Sequence, residues 1–228
     1  MKLLHRTKLL IIKVLDYFRY HKSYSQDGED IVLYSFFEGK KKYKGIYVDI
    51  GAHHPVRFSN TYFFYKRGWR GINIDPTPNS MTPFNFLRRR DINLEIGIGK
   101  ESGSLTFFCF NEPALNTFDE QIAKQRNQID SYRITKTIAI NIEPLKNILQ
   151  RHIPIGSNID FFSIDVEGLD LEVLASNDWD NYKPNYILVE DVDFHCSDAN
   201  KSSIFNFLHK KGYTVIAALK RTIIYKAV

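Results

Sequence analysis

Two short apolar stretches, each closed by an acid, constrain this chain more than anything else in it. The first is Tyr47-Val-Asp-Ile-Gly-Ala-His-His-Pro55 and the second Gly71-Ile-Asn-Ile-Asp-Pro76, with a helix-compatible segment, residues 60–67, between them. Residues 46–50 read as a strand with Asp49 near its end, and residues 72–74 as a strand ending at Asp75. Strand, turn, helix and acid-tipped strand is the sequence form of a nucleotide-binding βαβ unit. Gly51 and Ala52 would let the backbone approach a ligand, and Asp75 is placed to accept hydrogen bonds from two ribose hydroxyls. The dinucleotide fingerprint needs three glycines. Here Gly51 stands alone and His53, His54 and Pro55 fill the rest of the turn, which disfavours a pyrophosphate and hence NAD. An adenosine ligand without phosphates fits better, although a βαβ turn with an incidental glycine would look the same locally.

A chain of 228 residues is one domain, or one domain with an appendage, and its 43% hydrophobic and 14% aromatic content can fill a core and argues against disorder. The net charge of +5 is mild and concentrated in Lys40, Lys41, Lys42 and Lys44 and in Arg88, Arg89 and Arg90. Such runs are usually solvated faces, so no specific nucleic-acid role is expected. Cys109 and Cys196 lack metal-ligand spacing, which predicts neither a disulfide framework nor a structural zinc and fits a reducing, cytoplasmic compartment. No stretch is long and apolar enough for a membrane span.

Residues 1–22 form a unit of their own, a basic amphipathic helix with Leu4, Ile11, Val14, Leu15 and Phe18 on one side. Arg6, Lys8 and Lys13 interrupt its apolar run, unlike a signal peptide. It can pack on the domain or on an oligomer partner, or residues 1–20 can lie on a membrane surface as a peripheral contact. Residues 23–228 are the main domain. Ser23-Tyr-Ser-Gln-Asp-Gly-Glu-Asp30 reads as a polar turn capping a helix over residues 31–37 and suits the lid of a pocket. Further on, a broken helix spans residues 77–90, strands span 91–98 and 104–110, and the polar residues 111–135 predict a mobile substrate loop. Residues 137–142 predict a strand, 144–152 a helix, and the tail a helix (203–210) and a closing hairpin (213–219 and 222–225).

The second informative stretch, Asn158-Ile-Asp-Phe-Phe-Ser-Ile-Asp-Val-Glu-Gly168, is an apolar strand followed by Asp165, Glu167 and a helix over residues 169–175. The strand over residues 186–189 likewise runs into Glu190 and Asp191, with Asp193 and His195 beyond. Ligands of open parallel sheets bind outside the carboxyl ends of the strands. Acids at four such ends, Asp49, Asp75, Asp165 and Glu190, therefore predict one crevice.

With these motifs together, the chain resembles the FkbM family of S-adenosylmethionine-dependent methyltransferases. The resemblance rests on the 23–30 and 47–55 stretches, Ser59-Asn-Thr-Tyr62, Gly68-Trp-Arg-Gly71, Ile74-Asp-Pro76 and residues 159–168, and runs from about Ser23 to Asp191. It implies an α/β, class I methyltransferase (Rossmann-like) fold: a mostly parallel seven-stranded sheet, helices on both faces and a C-terminal hairpin. It also implies O-methylation of sugar hydroxyls in glycans or lipopolysaccharides; a polyketide or lipid hydroxyl, or a catalytically silent binding module, are the alternatives. For S-adenosyl-L-methionine the resemblance implies Asp49, Gly51, Ala52, Asp75 and Pro76, with Gln26 and Asn60 assisting. Asp165 and Glu167 would lie by the methyl group. Ser163 stands where a lysine is frequent in the family, so any role of that lysine is unfilled.

Methyl transfer to a sugar hydroxyl is helped by a base. The candidates are Asp165 and Glu167, then His54, with His53 and His195 behind them. Asp165 could instead cap the following helix, and Glu167 could pair with a basic side chain. No metal is expected, the alternative being a hard cation held by His195, Asp191 and Asp193 with Asp165.

Overall fold

The structure is a computed structural model that describes residues 21–37, 39 and 42–228. The expected helix over residues 1–20, and Lys40 and Lys41 of the first basic run, lie outside the described residues. The chain enters at His21 and forms α1 (Glu29–Ser35), then β1 (Ile46–Ile50), α2 (Tyr62–Lys66), β2 (Arg70–Ile74), α3 (Met81–Leu87) and β3 (Ile92–Leu94). The middle holds β4 (Gly97–Ile98), β5 (Gly103–Phe110), α4 (Glu120–Arg126), β6 (Ile134–Glu143) and α5 (Leu145–His152). The last part is β7 (Phe161–Ile164), α6 (Asp170–Ala175), β8 (Tyr186–Glu190), α7 (Ser203–Lys210), β9 (Tyr213–Ala218) and β10 (Thr222–Ala227).

Seven strands make one sheet in the order β3-β2-β1-β7-β8-β10-β9. Pairing is parallel from β3 through β8, while β10 runs against both β8 and β9, so the sheet is mixed and the closing hairpin is present. Alternation along the strands explains why both faces carry helices. Val48, Ile50, Phe162, Ile164, Ile187, Val189 and Ile223 point to the face covered by Leu145, Ile148 and Leu149 of α5, Val173 and Leu174 of α6 and Leu208 of α7. Tyr47, Phe161, Leu188 and Ile224 point to the other, under Leu33 of α1 and Phe63 and Phe64 of α2. A strand buried on both faces must be apolar at nearly every position, as β1, β7 and β8 are.

Two expectations change. Residues 91–98 are not one strand: β3 pairs with β2, while β4 leaves the main sheet for a second one of order β4-β6-β5. The cause is packing, since a side chain at Gly97 would lie 2.7 Å from Phe118 and 2.8 Å from Ile142, and only glycine lets β4 close against them. Residues 111–135 are also not a plain loop. They contain a 3-10 turn (Pro113–Leu115), then α4, whose cap Asp119 accepts from the N–H groups of Gln121 and Ile122, and Ala123 on this helix is fully buried. The β5–β6 ribbon and α4 thus form a strap over one end of the sheet.

The second basic run is not a solvated face throughout. Arg88 is completely buried and pairs with Asp91 at 2.9 Å. It also donates to Tyr47 Oη, Thr61 Oγ1, Asn73 Oδ1 and the Pro55 carbonyl, so a buried charge is fully satisfied. Among the described residues, no helix is long and apolar enough to cross a membrane.

Candidate active site

An open cleft of about 840 Å³ lies beyond the carboxyl ends of β1, β2 and β7. One side is the main sheet, with Gly51, Asp75 and Asp165; the other is the strap, with Phe107, Ala114, Asn116 and Phe118.

Asp75 ends β2 and is 6% exposed. One of its oxygens accepts the His53 N–H at 2.9 Å and the other the Thr77 N–H at 2.8 Å. A carboxylate offers about four acceptor positions, so two remain for a ligand while backbone donors fix its orientation. Beside it, Pro76, Ile96, Ile98 and Phe118 make an apolar wall.

Gly51 adopts φ +81°, and a Cβ there would stand 1.7 Å from the Asp165 carbonyl oxygen. The glycine is thus required by the crossing of β1 and the β7–α6 turn, whatever it also offers a ligand in the cleft that it lines. Ala52 is buried against Met81 and Phe84 and does not line the cleft.

At the other end of the cleft, oxygens of Asp165, Glu167 and Glu190 come within 4.8 Å of one another. Asp165 is itself exposed to the cleft, but desolvation by the surrounding protein, then the charges of Glu190, Glu167 and Asp170, push its carboxyl above the usual range, with Arg221 opposing. Burial followed by Glu167 and Asp170 lifts Glu190 to about 7. Asp170 also rises to about 7, chiefly by burial, although it accepts from the Val166 and Gly168 N–H groups. Glu167 sits at φ +56°, a conformation uncommon for a side chain with a Cβ. Thr117 donates to its carbonyl at 2.8 Å and Arg126 of the strap pairs with its carboxylate. Arg221, in the β9–β10 turn, pairs with Asp27 at 3.1 Å. With its amide oriented to accept, Gln26 lies 2.6 Å from the same guanidinium. Three crowded acids flanked by two arginines can hold a proton at neutral pH.

The model of the methyltransferase FkbM domain matches residues 49–215, well over half of the chain. The chain belongs to the FkbM methyltransferase family. No curated protein and no solved structure matches it.

In this FkbM protein, the cleft brings together Gln26, Gly51, Asp75, Pro76, Asp165 and Glu167 of the residues singled out from sequence. Four others lie elsewhere. Asp49 is buried behind β1, where it accepts from Thr61 Oγ1 at 2.6 Å and is raised to about 6 by burial, with Thr61, Arg88 and Ser163 opposing. Asn60 donates to Ser163 Oγ at 3.1 Å, so Asp49, Asn60 and Ser163 form an internal polar cluster, and neither Asp49 nor Asn60 lines the cleft. Ala52 is a packing residue, as above. His54 caps the turn: its Nδ1 accepts the N–H groups of Val56 and Arg57 at 3.0 and 2.9 Å. A neutral imidazole whose Nδ1 is taken carries its proton on Nε2, so His54 has no lone pair left for a base, and it does not line the cleft. His53 does line it, at φ +51°.

The expected alternative cation set also changes. Among the described residues the grouped acids are Asp165, Glu167 and Glu190; His195 and Asp193 are exposed and do not join them, and Asp191 accepts from Ser202 Oγ. Cys109 and Cys196 are free thiols, the first raised by burial. Sequence reasoning missed Arg126, Asn116 and Phe118, which come from a strap without a recognisable motif, and read Arg221 as a turn residue only.

Proposed function

We propose that this FkbM protein is an S-adenosylmethionine-dependent O-methyltransferase acting on a sugar or glycan hydroxyl. The observation that carries the reading is the division of the cleft: a fixed carboxylate, Asp75, beside an apolar wall at one end, and an acid cluster poised near neutrality at the other. The donor set fits the cofactor. Asp75 would accept from the ribose hydroxyls, Pro76, Ile96, Ile98 and Phe118 would flank the adenine, and Gln26 and the acids would face the methionine end. When bound, the cofactor supplies a methyl group on a sulfonium, electrophilic without help from the protein.

The residues of this chain then have three tasks. Asp165, which lines the cleft as Glu190 does not and is not held by an ion pair as Glu167 is, takes the proton of the acceptor hydroxyl. Desolvation and the charges of Glu190, Glu167 and Asp170 raise its affinity for that proton above that of an ordinary carboxylate. Arg126 and Arg221 limit the cluster's charge, and Arg126 turns Glu167 aside from the base role expected of it. The strap excludes water over the reacting end. Polar groups that line the cleft, Gln26, Asn116 and Thr77 among them, favour a hydroxyl-rich acceptor such as a sugar over a polyketide or lipid. The test is transfer of a labelled methyl group to a panel of sugars and glycans, deoxyhexosides first. Labelling of sugars supports the reading, whereas labelling only of apolar alcohols, or none at all with the cofactor bound, removes it.

A further inference from the structure

The end of the sheet opposite the cleft carries a row of exposed cations. Ile46 pairs with Arg70 and Ile72 with Ile92, so the chain just before β1, β2 and β3 brings Lys44, Arg70 and Arg90 to one edge. The helices that descend to this edge end in the same chemistry: α2 in Lys66 and Arg67, and α3 in Phe86 and Leu87 followed by Arg89. Arg90 ties the two helix ends together by donating to the Tyr65 carbonyl and lying 3.9 Å over the Tyr65 ring. Lys44, Lys66, Arg70, Arg89 and Arg90 are exposed, and none of them forms an ion pair among the described residues. The acids that share the edge are out of reach: Asp91 is enclosed by Arg88, and Asp160 is 2% exposed beneath Tyr43 and the Ile46 N–H.

Apolar side chains protrude from the middle of this row. Phe86 is 69% exposed, Leu87 44% and Ile92 36%. Cations alone would suit any polyanion, but Leu87 and Ile92 offer nothing to a phosphate chain or a base edge. Protruding aliphatic and aromatic groups ringed by Lys and Arg match a bilayer, whose headgroups take the charges and whose acyl boundary takes the side chains. The described chain begins on the same side, where His21 packs on Tyr34 and Phe63 and lies 3.2 Å from Arg67. The residues that precede it in the sequence include Lys2, Arg6, Lys8, Lys13 and Arg19.

We propose that the β1–β3 edge, with the α2 and α3 ends, is a docking surface for an anionic phospholipid membrane, with Phe86 and Leu87 inserting and Arg70 and Arg89 pairing with headgroups. The cleft lies at the other end of strands five residues long, about 17 Å away, so its mouth stays in water when the surface is docked. The inference does not depend on the reaction catalysed. The full chain is partitioned onto vesicles of phosphatidylcholine alone and of phosphatidylcholine with one-third phosphatidylglycerol. Binding is expected only to the second. Arg70→Gln/Arg89→Gln is expected to weaken it about thirtyfold, an effect that salt erases. Phe86→Ser/Leu87→Ser should weaken it about tenfold or more at any salt concentration. Thermal melting of both variants should be unchanged, since all four side chains are exposed. The proposal is overturned if wild type ignores anionic vesicles. It is equally overturned if both variants bind as wild type does, which would leave residues 1–20 as the sole contact. Loss in the arginine variant matched on duplex DNA, with no effect of the serine variant, would instead mark a general polyanion site and also refute it.

Discussion

Gly51 is a sharp place to test why the cleft has its shape. In Gly51→Ala two costs add. The first is the left-handed backbone, φ +81°, which costs a residue with a Cβ about 1–2 kcal/mol. The second is the new methyl group, placed 1.7 Å from the Asp165 carbonyl oxygen and 2.7 Å from its carbon. Both atoms are backbone, so relief requires β1 and the β7–α6 turn to part, an overpacking cost of about 1–3 kcal/mol. The sum is about 2–5 kcal/mol, or roughly 4–20 °C in melting temperature for a chain of this size. Gly28→Ala separates the two costs: its φ is +92° but nothing lies within 4 Å of the added carbon. Urea unfolding of both variants and wild type, all without cofactor, should show Gly28→Ala losing the dihedral cost alone and Gly51→Ala losing more. If Gly51→Ala is as stable as Gly28→Ala and has lost only ligand binding, the glycine serves ligand approach and the packing argument is wrong.

Other outcomes follow from the same network. Arg88→Met should cost about 3–5 kcal/mol in urea unfolding, because it strands the buried Asp91 carboxylate; a loss under 1 kcal/mol would mean that water reaches the pair. The methyl-transfer rate should rise with pH through a midpoint above that of an ordinary carboxylate, since the base must lose its proton. Glu190→Gln removes a negative neighbour of Asp165 and should move that midpoint to lower pH, while Asp165→Asn should lower kcat about 10²–10⁴-fold. Unfolding stability has the opposite slope: Asp170 and Glu190 are raised to about 7 in the fold, so the native state binds more protons, and stability should fall as pH rises from about 4 to 7. Activity should survive a chelator, because Arg126 and Arg221 already offset the acid cluster; complete loss restored by magnesium would assign Asp165, Glu167 and Glu190 to a cation.

The main sheet was legible because strands buried on both faces must be apolar, and β1, β7 and β8 announce themselves that way. The placement of Asp75 and Asp165 followed from the same rule, since an acid closing such a strand has only the carboxyl-end crevice to occupy. What failed was side-chain direction within a motif. Asp49, one residue from the end of β1, turns to the face where Thr61 and Ser163 satisfy it, and a strand with alternating polar neighbours on adjacent strands does not reveal this from its own residues. His54 looked like a base because the turn that takes its Nδ1 is set by backbone geometry. Arg88 looked like surface because its partners, Asp91 excepted, are scattered over 47–73. The strap was illegible for a related reason: its stability comes from Ala123 and Asp119 locally and from long-range pairing of β5 with β6, neither of which leaves a periodic pattern.

The central claim, a cofactor site organised by Asp75, is tested most directly by calorimetric titration of S-adenosylhomocysteine into wild type and into Asp75→Ala. Saturable binding to wild type, weakened at least about a hundredfold in a variant that still melts cooperatively, is the predicted result, given two hydrogen bonds to a charged acceptor. Heat signals absent from wild type, or equal affinity in the two proteins, would contradict it.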